Sequence, residues 1–99
     1  MTTLTSRADV RTDAPARYAK QLVSHLGRKV PFTEEADGAW TLAVGDASGR
    51  IVVGDGVLTL AVQAPDVETL ERLEHAFGSH LERFGTRAEL TVTWQRDAV

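Results

Sequence analysis

One segment of this sequence constrains the fold more than any other feature. From Val67 to Phe84 the apolar residues recur every three or four positions: Leu70, Leu73, Phe77, Leu81 and Phe84. This is the period of an α-helix with a single apolar face, and such a face must be buried against a second layer. Pro65 and Asp66 precede the segment, and an aspartate side chain can cap the free N–H groups of a first turn. We therefore predict a helix that begins after Asp66 and is closed by Gly85.

A second amphipathic helix is predicted near the N-terminus. The residues of its apolar stripe are four positions apart: Tyr18, Leu22 and Leu26, with Ala19 and Val23 beside them. We expect Asp13 to cap this helix and Pro15 to occupy its first turn, where a missing N–H is tolerated. The helix is predicted to continue to about Arg28.

The other segments have the pattern of strands. Residues 4–11 and 89–94 alternate between apolar or small residues and polar ones, the period expected of half-buried strands. Between the helices, glycine- and aspartate-containing turns at 36–38, 45–49 and 54–56 separate short runs that predict an antiparallel meander: 31–34, 39–44, 50–53 and 57–62. The order β-α-β-β-β-β-α-β favours an α+β two-layer sandwich, with a mostly antiparallel sheet and both helices on one face. We expect one domain over residues 1–99, frayed at 1–3 and 95–99.

Composition excludes several classes of protein. The chain has no cysteine, which excludes disulfides, thiolate nucleophiles and thiolate metal sites. A net charge of −3 argues against nucleic-acid binding, and no apolar run is long enough to span a membrane. Residues 1–7 lack the apolar core of a signal peptide, so we expect a cytoplasmic protein. Basic residues are concentrated before residue 31 and acidic residues after it, which indicates that the two halves complement each other within the fold or across a homodimer.

No motif points to an enzyme. The glycine-rich segments lie between predicted strands rather than before a helix, so they are interpreted as hairpin turns and not as phosphate-binding loops. Ser24 and His25 are neighbours on a helix and point about 100° apart, which prevents direct pairing. Glu68, Glu71 and Glu74 are predicted to form the solvated face of the second helix. We expect no catalytic residue, no metal site and no cofactor.

Two histidines mark the place where a ligand site is possible. On a helical wheel, His25 lies close to Tyr18 and His80 lies next to Leu73, each at the border of its apolar stripe. If the helices lie side by side, the shared groove could hold an anion, a small ligand or a metal, although no third metal ligand is identified. Alternatively, both rings simply pack at the border of the core. The candidate binding residues are Arg17, Tyr18, His25, His80 and Arg83.

Two blocks of the sequence resemble a known bacterial family. The first runs from Pro15 to Leu26 and continues with Lys29-Val30-Pro31, and the second comprises Leu73-Glu74, His80–Phe84 and Glu89–Trp94. Both are similar to the bacterial domain of unknown function family 2218, and the resemblance covers nearly the whole chain. The family pattern matches this chain at Arg17, Tyr18, His25, His80, Arg83 and Trp94. The segment Val44–Gly49 departs from the shorter glycine-centred turn of relatives.

The resemblance implies little about activity, because the family is uncharacterised. It suggests an accessory role in bacterial iron and siderophore handling. The leading hypothesis is a non-catalytic accessory domain that binds a small molecule or a protein partner in the groove between its helices. The alternative is a structural or interaction module that acts as a homodimer without a ligand site.

Overall fold

The protein folds as a six-stranded antiparallel sheet packed against two helices. The computed structural model describes residues 3–28, 31–84 and 90–96. Its elements in chain order are β1 (Leu4–Arg11), α1 (Pro15–Leu26), β2 (Thr33–Glu34), β3 (Trp40–Val44), β4 (Ala47–Val53), β5 (Val57–Ala64), α2 (Val67–Phe84) and β6 (Gln95–Arg96). The strands are arranged in the sheet as β2-β3-β4-β5-β1-β6. The predicted α+β class and the predicted order of elements are confirmed.

The hydrophobic core lies between the two layers. Alternate residues of the central strands point toward the helices, because successive side chains of a strand alternate between faces; the buried apolar ones are Ala8, Val10, Leu42, Ala47, Ile51, Leu58, Leu60, Val62 and Ala64. The helices contribute Ala19, Leu22, Leu70, Phe77 and Leu81. Phe77 is 1% exposed and is the largest fully buried side chain. The described members of the apolar stripes predicted for both helices therefore pack in the core, and the side chain of Phe84 lies outside the described part of the chain.

Helix α1 begins without the predicted cap. Asp13 is exposed, and no side chain caps the helix at Ala14. Instead, the N–H of Ala14 donates to Thr12 Oγ1 at 3.1 Å, so the threonine hydroxyl orders the chain just before Pro15. The helix ends at Leu26, two residues earlier than predicted.

Helix α2 begins as predicted. The carboxylate of Asp66 accepts a hydrogen bond from the N–H of Thr69 at 2.7 Å, so it satisfies one of the free donors of the first turn. Gly85, predicted to close the helix, lies outside the described residues, as do residues 1–2, 29–30, 86–89 and 97–99.

Gly49 belongs to a strand rather than to the predicted 45–49 turn. The hairpin between β3 and β4 closes at Gly45 and Asp46, because Val44 pairs directly with Ala47. Gly49 then faces the helices, where a Cβ atom would lie 2.5 Å from Cζ of Phe77. Glycine is required here by the close approach of an aromatic ring and not by a turn.

The last strand is shorter and later than predicted. Residues 90–94 lie outside the sheet, and within the described segment 90–96 only Gln95 and Arg96, which we expected to fray, pair with β1. The N–H of Val92 donates to the Glu82 carboxylate at 3.0 Å, so it is not free for a sheet partner. Val92 and Trp94 pack on α2 at Gly78, where a Cβ would lie 3.0 Å from Trp94 Nε1. The strand predicted for residues 89–94 is therefore wrong within its described part.

Candidate functional site

The two border histidines meet between the helices. His25 is the next-to-last residue of α1, and His80 lies in the C-terminal half of α2. Their ring centroids are 4.4 Å apart and the ring planes are inclined by 54°. Both residues are partly buried. The helical wheel placed each ring at the border of the apolar stripe of its own helix, and the structure brings the two rings into contact.

The other candidate residues differ in their burial and in their distance from this pair. Tyr18 is partly buried and packs against the hydrophobic core. Arg17 is exposed and lies eight residues before His25, about 12 Å along the axis of a helix, so only an extended ligand would contact both. Arg83 is exposed and follows His80 by three residues, which puts the two on neighbouring turns of α2.

A cationic hollow adjoins His25 on the surface of α1. It has a volume of about 370 Å³, is open to solvent, and is lined by Lys20, Gln21, Ser24, His25 and Arg28. No acidic side chain is among these lining residues, so the hollow attracts negative charge. Sequence reasoning did not single out Lys20 and Arg28. The signal was present in the four-residue spacing of Lys20, Ser24 and Arg28, which puts the first two on one face of α1 and Arg28 in the turn that follows it.

Among the residues that the structure describes there is neither a cluster of metal ligands nor a helix able to span a membrane. Within residues 3–28, 31–84 and 90–96, no three or more His, Asp or Glu side chains lie close enough together to hold a metal ion. A structural metal site ordinarily needs four protein ligands and a catalytic one three. In the same residues, neither helix combines the length and the apolar character needed to cross a membrane.

Glu74 forms an ion pair that the sequence did not reveal. The residue was predicted to lie on a solvated face, but it is only 9% exposed. Arg96 donates to both of its carboxylate oxygens, from Nη2 to Oε1 at 2.7 Å and from Nε to Oε2 at 3.1 Å. Nη2 of Arg96 also lies 3.7 Å from Oε1 of Glu71. The pair links β6 to α2, and the prediction failed because Arg96 was assigned to a frayed tail.

The hydrogen bonds from Arg96 lower the pKa of the Glu74 carboxyl below its usual range, and they outweigh the opposing effect of burial. The buried hydroxyl of Ser6 lies close enough to lower this pKa further, although its Oγ makes no hydrogen bond of ordinary geometry. Reciprocally, Glu74 raises the pKa of the Arg96 guanidinium. Glu74 is therefore ionised in the folded protein at neutral pH.

The sequence of this domain matches a known bacterial family. The family described as "Uncharacterized protein conserved in bacteria (DUF2218)" matches residues 7–95 of the chain. The chain belongs to this family. No curated protein matches the chain.

Two solved structures share the fold of this DUF2218 domain. The NMR structure of PA4090 from Pseudomonas aeruginosa is 25% identical, with a TM-score of 0.72, and the match covers 96% of each chain. The de novo designed protein Foldit4 is 13% identical, with a TM-score of 0.57 and 99% of each chain covered. The second likeness concerns the fold alone.

We expect the ion pair of this DUF2218 domain to govern part of its acid stability. Because the folded pKa of Glu74 is lowered, the pair stabilises the fold above the unfolded pKa of about 4.5, and this contribution is lost as the pH falls through the folded pKa. The variant Arg96→Ala should show a weaker fall in the free energy of unfolding between neutral and acidic pH. Urea denaturation at a series of pH values measures this dependence.

The matched control is Arg72→Ala. Arg72 pairs with Glu68 at 2.8 Å, but the side chains are 76% and 77% exposed, and such surface pairs contribute little. This variant should keep the pH dependence of the wild type. If Arg96→Ala and Arg72→Ala gave the same profile, Glu74 would not be the group responsible.

Proposed function

We propose that this DUF2218 domain is a non-catalytic cytoplasmic accessory domain that binds a small organic anion in the groove between α1 and α2. The observation that carries the proposal is the contact of the His25 and His80 rings, 4.4 Å apart, beside a hollow that contains Lys20 and Arg28. Ligand sites combine planar apolar surfaces with a few convergent polar groups, and this groove offers both.

The groove residues would divide the recognition of such an anion between them. The imidazoles are planar and only partly exposed, so they can pack against a flat ligand and donate hydrogen bonds to its oxygens. Lys20 and Arg28 are exposed and line the hollow, where their charges attract an anion from solution. Arg83, on the turn after His80, could contact the ligand from the α2 side.

The iron-handling context suggested by the resemblance makes the ligand class more specific. Siderophores chelate ferric iron through planar oxygen anions, chiefly catecholates and hydroxamates, and such groups can pack on the exposed side of the paired imidazoles, beside cationic neighbours. The proposed role is to bind a siderophore fragment or its iron complex rather than to transform it. Dihydroxybenzoate and acetohydroxamate, each with and without ferric iron, are therefore the probes.

The test is a titration followed by two-dimensional amide NMR spectra. We expect saturable shifts at the amides of His25 and His80 with at least one probe, and a loss of affinity of about tenfold or more in the double variant His25→Ala/His80→Ala, because tenfold corresponds to the loss of roughly one charge-assisted hydrogen bond. His75→Ala is the matched control, since His75 is an exposed histidine of α2. Lys20→Gln/Arg28→Gln should weaken binding as well.

The same experiment separates the alternative function. Unchanged affinity in the double histidine variant would refute the proposal that the ligand binds in the groove. If no probe binds and light scattering shows a dimer, the homodimeric interaction module is supported instead. The observation that favours a dimer is the edge of β1: within the described residues, β6 pairs only with Ser6 and Arg7 and leaves Ala8–Arg11 without a strand on that side.

A further inference from the structure

The face of the sheet opposite the helices carries a cleft that the sequence analysis did not consider. Its volume is about 440 Å³, within the range of roughly 300–1,000 Å³ that is usual for small-molecule sites. The cleft crosses β1, β5, β4 and β3, and the side chains that enter it belong to residues that alternate with the buried core positions. They are Thr5, Arg7, Thr41, Ser48, Arg50, Ala61 and Gln63.

Strand register places two arginines on either side of an alanine. Ala61 of β5 is paired with Arg7 of β1 on one side and with Arg50 of β4 on the other. Since neighbouring strands are about 4.8 Å apart, the two arginine Cα atoms are separated by about 10 Å. The methyl group of Ala61 fills little of the space between them. The result is a trough with an apolar floor and a guanidinium on each wall.

The next row of the cleft is polar and uncharged. Gln63 of β5 is paired with Thr5 of β1 and with Ser48 of β4, so an amide and two hydroxyls lie beside the arginine row. No aspartate or glutamate is among the residues that line the cleft. Among the described residues that line the cleft, two are therefore positively charged and none is acidic.

Carboxylates that do not line the cleft hold the two arginines from its rim. Nε of Arg7 lies 3.2 Å from Oδ1 of Asp9, and Nη2 of Arg50 lies 2.8 Å from Oδ2 of Asp37. Asp9 also accepts a hydrogen bond from Thr59 at 2.8 Å, which divides its interactions between two partners. Each contact engages one nitrogen of a guanidinium that has five N–H donors, so most donors remain available. The carboxylates restrain the two arginine side chains and leave most of their N–H donors available to a ligand.

We propose that this cleft binds a small organic acid whose carboxylate is held by Arg7 and Arg50 and whose apolar body lies over Ala61. The planar fork of a guanidinium matches the two oxygens of a carboxylate, and charge-assisted hydrogen bonds of this kind are roughly twice as strong as neutral ones. The site lies on the opposite face of the sheet from the histidine groove. It is independent of the function proposed for that groove.

The test uses glutarate, butyrate, inorganic phosphate and the neutral analogue glutaramide as probes in amide NMR titrations of the whole domain. We expect glutarate and butyrate to cause saturable shifts at the amides of Arg50, Ala61 and Gln63, and we expect the neutral glutaramide to cause none. Arg7→Gln and Arg50→Gln should each weaken binding by about tenfold, as expected for a charged hydrogen-bond pair. Both arginines are exposed, so these variants should fold.

Two further variants distinguish binding in the cleft from nonspecific electrostatic attraction to the surface. Ala61→Leu fills the trough without changing any charge and should abolish binding. Arg11→Gln removes an arginine of the same strand and the same face that does not line the cleft, and it should bind as the wild type does.

Each of the following outcomes would overturn the proposal. They are the absence of saturable shifts with either carboxylate, equal weakening in Arg11→Gln and Arg7→Gln, retained binding in Ala61→Leu, and equal affinity for phosphate and carboxylates. Shifts confined to the amides of His25 and His80 would place the anion in the helix groove and also refute this cleft. If no probe binds in the cleft, the proposal for the groove between α1 and α2 is unaffected. Each of the two proposals can therefore be refuted without the other.

Discussion

Replacing Phe77 with alanine should lower the free energy of unfolding by about 3–5 kcal/mol, the range found for large-to-small changes at buried aromatic residues. Phe77 is 1% exposed and connects the layers from the middle of α2. Its ring packs on the backbone of Gly49 and lies 6.1 Å, between ring centroids, from the ring of Phe32. Glycine has no side chain to move into the vacated space, so the cavity should persist. Urea denaturation followed by circular dichroism measures the loss.

Phe77→Leu is the control for this prediction. It keeps most of the apolar volume and should cost clearly less than the alanine variant. Phe32→Ala should also cost less, because Phe32 is only partly buried. If Phe77→Ala cost no more than about 1 kcal/mol, the core could relax around the missing ring, and the close fit at Gly49 would not be an important constraint on the fold.

The architecture was predictable because its signals are local. The three- and four-residue spacing through Leu70, Phe77 and Leu81 identifies both the helix and its buried face within one segment. The cap at Asp66 is equally local, since its acceptor and the donor at Thr69 are three residues apart. Such patterns need no knowledge of the rest of the chain, and two one-sided helices beside alternating strands leave few ways to build two layers.

Two of the failures have the opposite property, because they depend on residues far apart in sequence. Glu74 was placed on the solvated face since a helical wheel contains only its own helix, and Arg96 lies 22 residues later. Gly49 was assigned to a turn because glycine and aspartate often form turns. The ring of Phe77 that explains Gly49 belongs to another layer.

The two candidate sites differ in how far the sequence could indicate them. The wheel predicted that His25 and His80 border their stripes, and adjacency of the helices then sufficed to bring the rings together. The open-face cleft, which lies on the face of the sheet opposite the helices, could be predicted only with more information. Arg7, Arg50 and Ala61 meet only if the registers of two strand pairs are known, and a shift of one residue in either pair would move an arginine to the other face. No local pattern carries that information.

Gly49→Ala should destabilise the domain by about 2–3 kcal/mol, as overpacking of a close-packed core does. The added Cβ would lie 2.5 Å from Cζ of Phe77, 3.0 Å from Cε2 and 3.3 Å from Cε1. The ring is held between two layers and cannot withdraw freely, so β4 would have to move instead. Because the backbone of Gly49 also lines the open-face cleft, we expect shifted amide signals at Ala61 and Gln63 in this variant. Urea denaturation and amide NMR spectra provide the two measurements.

A double-mutant cycle isolates the cause of this effect. In the Phe77→Ala background the ring is gone, so Gly49→Ala should cost only a few tenths of a kcal/mol or should stabilise the strand, since alanine loses less backbone entropy than glycine. The coupling energy should therefore be large and should favour the double variant over the sum of the single ones. Additive costs would contradict the argument, because they would mean that Gly49 is required by its own backbone conformation and not by the ring above it. A large coupling would instead show that the ring of Phe77 is what requires glycine at position 49.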